Sequence, residues 1–449
     1  MYFRNKRKKE IMNAISLFAS GGIGDLALKS CGVNILVANE LLHDRCQVLE
    51  YNYPETTVIQ GDIWSKKSDI IDETKRLLNS KSLDILYATP PCQGMSKNGR
   101  GTLLNNIRKG NRSEFDERNR LIIPTLQIAK ELMPQFIVLE NVSEMKDTYI
   151  QDDEGRIVNI IEYIKITLGD LYVGNAEVVE FADYGVPQRR KRLITVFSRN
   201  ENLRRYFNSN GTFLPDRTHS PSGLNQTKKW VTVRDSISSL PKLDAEVIDR
   251  AVSDIPFHRV PLLDSEKYYW VSNTPPEKGA FDNQCIKCGY EKNPTHGSEK
   301  NEFGVNRSKV TTPIRCINCN ELLPRPWVIR NGEYLLMKGF TSSYKRMSWD
   351  KPSNALTTNL SYACSDSKIH PEQNRVLSLY EAFLLHTISE FEYEWMRKDN
   401  LKVSDKTIRE IIGESIPPRG LKIIIQHLID VSKGIPVKRI KNQQLKLIC

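Results

Sequence analysis

The stretch from Ser82 to Ser96 holds an apolar run, Ile85-Leu86-Tyr87-Ala88, that stops at Thr89-Pro90-Pro91 and is followed at once by Cys92-Gln93-Gly94. Proline cannot contribute to a central strand ladder, so the pair ends a buried strand and stiffens the backbone that carries the next side chain. Cys92 is thereby presented at a strand end. A thiol in that place is a useful nucleophile only as thiolate, in a polar, cationic or helix-terminal setting. Taken alone it is equally a small apolar residue closing a strand, and the rest of the chain has to separate the two readings.

The residues before and after it repeat one pattern. Asn13-Ala14-Ile15-Ser16-Leu17-Phe18 reads as a strand, runs into Ala19-Ser20-Gly21-Gly22-Ile23-Gly24 and leads to a helical run from Asp25 to Ser30. Strand, glycine turn and helix together let backbone approach a nucleotide closely. The next strand, Asn34 to Asn39, ends in Glu40, where a carboxylate accepts hydrogen bonds from ribose hydroxyls; a third, Thr57 to Gln60, ends in Gly61-Asp62-Ile63, where a carboxylate suits an adenine amino group. Pro134 to Leu139 is a further buried-type strand and delivers Glu140-Asn141-Val142. Helical segments at about 69–78 and 119–133 lie between the strands, and strict alternation predicts a parallel sheet covered on both faces. Ligands of such sheets bind at the strands' carboxyl ends, which is where Phe18, Glu40, Asp62, Cys92 and Glu140 all fall.

Other segments add charge. Gly94 to Ser113 carries Lys97, Arg100, Arg108, Lys109 and Arg112 among four glycines and no acid, the makeup of a mobile, phosphate-facing loop. Gln188-Arg189-Arg190-Lys191-Arg192 precedes the strand Leu193 to Phe197, and alternation points Arg190 and Arg192 to one side. A net charge of +11 favours a polyanionic partner, though charge by itself selects none. No run of about 18 apolar residues exists to span a bilayer. Lys6-Arg7-Lys8-Lys9 has no apolar region of signal-peptide type behind it, and nine cysteines, an odd number, fit a reducing compartment better than a disulfide framework. These features together predict a cytoplasmic location and no membrane partner.

From about residue 200 the alternation stops. Cys285-x-x-Cys288 and Cys316-x-x-Cys319 lie in the irregular half, and two such pairs separated by 27 residues suit a tetrahedral thiolate zinc site of ribbon type over about 280–325, with a redox pair as the alternative. His296 lies between the pairs, but four cysteines already complete the shell. Arg325, Trp327, Arg330, Tyr344, Lys345 and Arg346 are candidate nucleic-acid contacts, among which residue type alone does not choose.

The motifs Phe18-Ala19-Ser20-Gly21-Gly22-Ile23-Gly24, Pro90-Pro91-Cys92-Gln93, Glu140-Asn141-Val142, Gln188 to Arg192, His370 to Ser378 and Gly413-Glu414-Ser415-Ile416-Pro417-Pro418 resemble, in order and approximate spacing, those of the DNA (cytosine-5) methyltransferases of restriction-modification type. The likeness covers nearly the whole chain outside about 200–350. It implies a Rossmann-like S-adenosylmethionine-dependent α/β domain over 11–199, completed by 405–449. It also implies a smaller, irregular, mainly β target-recognition domain over 200–404 that holds the zinc ribbon. It assigns cofactor contacts to Phe18, Gly22, Glu40, Asp62, Ile63, Pro91 and Ser415, and catalytic roles to Cys92, Glu140, Asn141, Gln188, Arg190 and Arg192, with Asn141 bracing the Pro-Cys loop. Three departures stand out: Ser20 and Ile23 where the family usually has glycine, and Glu414 where it has asparagine.

The chemistry suits these residue types. Cytosine C5 is a poor nucleophile until a thiolate adds at C6; Glu140 at N3 would draw electrons from the ring and Arg192 at O2 would hold the base and its developing charge. A base inside a duplex has to be flipped out first. The expected partners are double-stranded DNA and a separately acting restriction endonuclease, the expected state is a monomer, and zinc is expected to be structural. Methylation of cytosine in tRNA and a catalytically silent DNA-binding protein are the competing readings; the large zinc-bearing insertion argues against the first, intact Cys92, Glu140 and Arg192 against the second.

Overall fold

The computed structural model describes residues 11–91, 117–224, 226–295, 298–300, 306–309, 311–337 and 342–439 of the 449. Cys92, the glycine-bearing loop after it, the basic N-terminal run and His296 lie outside the described residues. Five parallel strands, β1 (Asn13–Leu17), β2 (Asn34–Glu40), β3 (Thr57–Gln60), β4 (Ile85–Ala88) and β5 (Phe136–Asn141), are joined by β6 (Val173–Glu180) and β7 (Lys191–Ser198) in the order β3-β2-β1-β4-β5-β7-β6. β7 runs antiparallel to both β5 and β6. Helices α1 (Asp25–Ser30), α2 (His43–Asn52), α3 (Ile63–Leu78), α4 (Ile122–Leu132), α5 (Ile160–Leu168) and α6 (Glu201–Asn210) cover the sheet.

Every residue of β4 and β5 is buried, as continuous apolar strands inside an α/β sandwich must be. Their side chains divide by alternation: Ile85, Tyr87, Phe136 and Val138 enter one core, Leu86, Ala88, Ile137 and Leu139 the other. Covering both faces is thus a direct consequence of the two-residue period.

The first of these cores also takes in the C-terminal part of the chain. Leu377, Trp395 and the buried faces of α7 (Leu379–Leu385), α8 (Asp405–Glu414) and α9 (Pro418–Ser432) join it, together with Val233, Ile237, Met347, Leu356 and Leu360. α9 packs on α1 and α6. The expected division at 200 and 404 does not follow this packing, because a change in composition marks where alternation ends and not which core a segment enters. What remains has its own core of Trp270, Val271, Ala280, Phe281, Trp327, Tyr344, Ala363, Ile369 and Val376. The hairpin of β8 (Trp327–Arg330) and β9 (Glu333–Leu336) closes there through Asn331-Gly332, both at positive φ, as a two-residue turn between right-twisted strands requires.

Four of the candidate nucleic-acid contacts belong to this interior. Trp327 and Tyr344 are core residues that stack edge-on against Trp270 at 5.2 and 5.5 Å. Arg325 is fully buried and donates to the carbonyls of Asn283, Pro294 and Pro313; Arg346 donates to those of Thr274, His370, Gln373 and Val271. Each guanidinium ties several chain segments that have no ladder to join them, which five fixed donors can do and a basic surface residue would not. Arg330 and Lys345 are exposed. No helix among the described residues is long and apolar enough to cross a membrane.

Candidate active site

The antiparallel course of β7 decides the geometry of the site. Because β7 runs against β5, its first residues lie beside the last residues of β5, with Leu193 opposite Asn141 and Ile194 opposite Glu140. Arg192, just before them, places Nε 2.7 Å from Glu140 Oε1. The contact is an ion pair rather than an aligned hydrogen bond, and Oε1 keeps its acceptor capacity. Burial pushes the Glu140 carboxyl above its ordinary range, against the pull of Arg192 and Arg190. Next to it, Asn141 Nδ2 donates to Pro90 O at 3.0 Å, and Thr89 donates its backbone N–H to Leu17 O and its hydroxyl to Phe18 O at 2.9 Å. The backbone leading to Cys92 is therefore pinned to the ends of β5 and β1.

On the other side of β1 the glycine turn is held under strain. Phe18 and Ser20 both adopt positive φ, of 59° and 51°, although neither is glycine. Gly22 has φ +80°, and a Cβ there would lie 2.4 Å from the Tyr53 ring. Two phenols fix the turn's carbonyls, Tyr393 that of Gly21 and Tyr53 that of Gly22, each at 2.5 Å. Beneath it Ser16 donates to Asp25, whose carboxyl burial pushes up to about 7. Glu40, 6% exposed, accepts from the backbone N–H groups of Ser20 and Leu42 at 2.8 and 2.9 Å. Asp62 caps α3 through Trp64 N, which leaves one carboxylate oxygen uncommitted, and Ile63 is buried at the helix start.

The segment after α7 covers this turn. Ile411 packs on Gly21, and Glu414 pairs with Arg45 of α2 at 2.6 Å. Gly413 lies so close to the backbone of Thr358 that a Cβ would meet its nitrogen at 2.2 Å. Arg190, fully buried, donates to Leu356 O and Gly413 O. Gln188 and Ser415 come together through His386. Among the described site residues, Arg192 thus meets Glu140, Asn141 and Phe18 both meet the segment just before Pro91, and Gln188 and Ser415 meet through His386.

With this geometry in place, comparison with known proteins is decisive: the C-5 cytosine-specific DNA methylase family matches residues 12–430. The chain belongs to that family. This methylase is 28% identical over 429 residues to the Type II methyltransferase M1.HgaI of Avibacterium volantium, covering 94% of this chain and 99% of the relative. It is 31% identical over 241 residues to M.AquIA of Picosynechococcus, covering 51% and 88%. Among solved structures, a protein described as a DNA modification methyltransferase encoded within an Escherichia coli prophage superposes with TM-score 0.51 at 18% identity, over 94% of this chain and 99% of that one. The S. pombe Dnmt2 methyltransferase gives 0.51 at 11%, over 94% and 99%.

S-adenosylmethionine use follows from the family, and the methylase's turn fits it. Leu41, Leu42 and Trp64 are left 59, 46 and 40% exposed around two carboxylates, Glu40 and Asp62. Apolar walls with a few convergent acceptors match a nucleoside, which has apolar rings and hydroxyl and amino donors. Two of the three departures from the family pattern are accommodated locally: Ser20 takes the left-handed conformation, and Glu414 is neutralised by Arg45.

The methylase's second candidate centre is separate. The sulfurs of Cys285, Cys288, Cys316 and Cys319 all lie within 4.8 Å of one another, with Cys285 to Cys319 at 3.6 Å and Cys288 to Cys316 at 3.7 Å. A tetrahedron of Zn–S bonds of about 2.3 Å has edges of about 3.8 Å, so the four thiols fit that ion. Asn318 Nδ2 donates to Cys288 Sγ and favours the thiolate. Around them, among the described residues, the apolar cluster is Cys285, Cys316 and Leu323, with Tyr290 against it.

Several residues of the site went unread in the sequence. Asp25 opens α1, Arg45 and Tyr53 lie in and at the end of α2, and His386 and Tyr393 follow α7; none stands in a motif. Asp25 alone carried a signal, as an acid opening the helix after a glycine turn.

Proposed function

We propose that the protein is the modification enzyme of a restriction-modification system, transferring a methyl group to C5 of a flipped-out cytosine in a duplex target. The observation that carries this reading is the Glu140–Arg192 pair at the strand ends beside the Pro90-Pro91 backbone. The Type II methyltransferases among its relatives support it. S-adenosylmethionine supplies an electrophilic methyl on a sulfonium. The Cys92 thiolate adds to C6 of the base; Glu140, with its raised pKa, shares a proton with N3, and Arg192 holds O2, so the electron pair displaced from the C5–C6 bond becomes available at C5. Once C5 carries the methyl group, loss of its proton returns an electron pair to the C5–C6 bond and the thiolate leaves. Asn141 braces the Cys92 loop through Pro90, while Gln188 and Arg190 hold the start of β7 in place. Zinc on the four cysteines braces the target-recognition lobe, which we place outside the catalytic core. Double-stranded DNA is the substrate, a nuclease acts separately on the same sequence, and the enzyme works in the cytoplasm as a monomer.

Bisulfite sequencing of a plasmid recovered from expressing cells tests this reading. Protected cytosines at one recurring sequence are the expected result. Complete conversion of the plasmid, with protected cytosines in tRNA instead, would transfer the activity to the competing substrate.

A second expectation concerns Glu140. Glu140→Gln keeps the shape but not the proton exchange with N3, so turnover is expected to fall by about 10²–10⁴-fold, while calorimetry gives wild-type affinity for S-adenosylmethionine. A variant altered chiefly in cofactor affinity would place Glu140 at the wrong end of the site.

A further inference from the structure

Gln188 and His386 are both fully buried, where the chain entering β7, the end of α7 and the segment after α8 meet. The hydrogen bonds along this contact have one self-consistent direction. The backbone N–H of Leu356 donates to Gln188 Oε1 at 3.1 Å, which sets the amide's orientation and makes Nε2 the donor toward Leu385 O and His386 Nδ1, at 3.4 and 3.0 Å. Nδ1 therefore accepts, the imidazole is neutral, and its single proton sits on Nε2. Nε2 lies 3.0 Å from Ser415 Oγ and donates to it, while the Ser415 hydroxyl donates in turn to Ile412 O at 3.2 Å. A parallel tie runs through Arg190, whose two Nη atoms reach Leu356 O and Gly413 O at 2.7 and 2.8 Å. Burial, with Arg190 and Arg192 nearby, holds His386 well below its ordinary pKa, so an imidazolium does not compete with this order.

The two ends of the chain of bonds belong to different halves of the site. Gln188 stands four residues before Arg192, which pairs with Glu140. Ser415 follows Ile411 and Glu414, which pack on Gly21 and pair with Arg45. We infer that His386 is a positioning residue for methyl transfer: its Nε2–H fixes the Ser415 hydroxyl and with it the segment over the glycine turn, tying the cofactor end of the site to the backbone that delivers Arg192. The inference rests on the reading of Ser415 as part of the cofactor wall. It adds a residue that lies in none of the motifs.

The test uses the full-length enzyme, with steady-state kinetics against S-adenosylmethionine and calorimetry with S-adenosylhomocysteine. His386→Phe keeps a ring but removes both hydrogen bonds; the expected result is a rise of about tenfold in KM for the cofactor and in Kd, with a smaller change in kcat. His386→Gln, which can accept from Gln188 and donate to Ser415, is expected to recover most of the loss. His386→Phe combined with Ser415→Ala is expected to be little worse than either alone, because both interrupt one path. If Ser415→Ala weakens the cofactor and His386→Phe does not, the inference is overturned while the wall stands. If Ser415→Ala has no effect, the reading of the wall itself fails. Should His386→Phe not fold, nitrogen NMR of the wild-type histidines still decides, with His386→Gln assigning the signal: a proton on Nε2 alone supports the relay, and one on Nδ1 or on both overturns it.

Discussion

Cys92→Ser is expected to abolish methyl transfer, by roughly 10⁴-fold or more, and to leave specific DNA binding measurable. A hydroxyl has nearly the shape of the thiol but not its acidity or its nucleophilicity, so the loss falls on addition to C6 and not on docking of the duplex. The pinned backbone before it explains why the variant should fold: Thr89 and Pro90 are held by Phe18, Leu17 and Asn141 through bonds that do not involve residue 92. A duplex carrying 5-fluorocytosine at the target gives the complementary result. Fluorine cannot leave C5 as the proton does, so the wild-type enzyme should remain covalently attached through Cys92 and migrate with the DNA under denaturing conditions. An active enzyme that formed no adduct, or a serine variant that turned over normally, would exclude Cys92 as nucleophile.

The second large effect is expected at the thiolate cluster. Cys316→Ala should release zinc and reduce specific DNA affinity to its non-specific level, about 10³-fold or more, with S-adenosylmethionine binding unchanged by calorimetry. The asymmetry follows from packing. Among the described residues, three buried side chains, two of them ligand cysteines, and one partly buried tyrosine are too small a core to hold the ribbon, so the ion's binding free energy, on the order of 10 kcal/mol in small zinc peptides, is the ribbon's folding free energy. The cofactor turn belongs to a different and much larger core that includes both ends of the described chain. Active protein without zinc would refute the ion, and loss of cofactor binding together with the metal would show that the two cores do not hold independently.

Much of the cofactor half was legible in order along the chain. β1, β2, β4 and β5 are apolar runs buried along nearly their whole length, so the strand ends at which Phe18, Glu40 and Glu140 stand were readable from local pattern. The two CxxC pairs were readable for a similar reason, since a metal's geometry limits ligand spacing within each knuckle. Arg325 and Arg346 were misread because a basic residue looks the same in sequence whether it meets a phosphate or several backbone carbonyls.

What the sequence by itself determined is the set of residues at strand ends and the kind of chemistry they can perform, because those follow from chain-local periodicity and turn stereochemistry. The tertiary structure alone decided which of them meet. The reversal of β7 brings Arg192 to Glu140, the return of the last helices sets Glu414 on Arg45, and His386 finds Gln188 from 198 residues away. These contacts depend on how separate elements enter a common core, where burial selects partners by shape and unsatisfied donors rather than by distance along the chain.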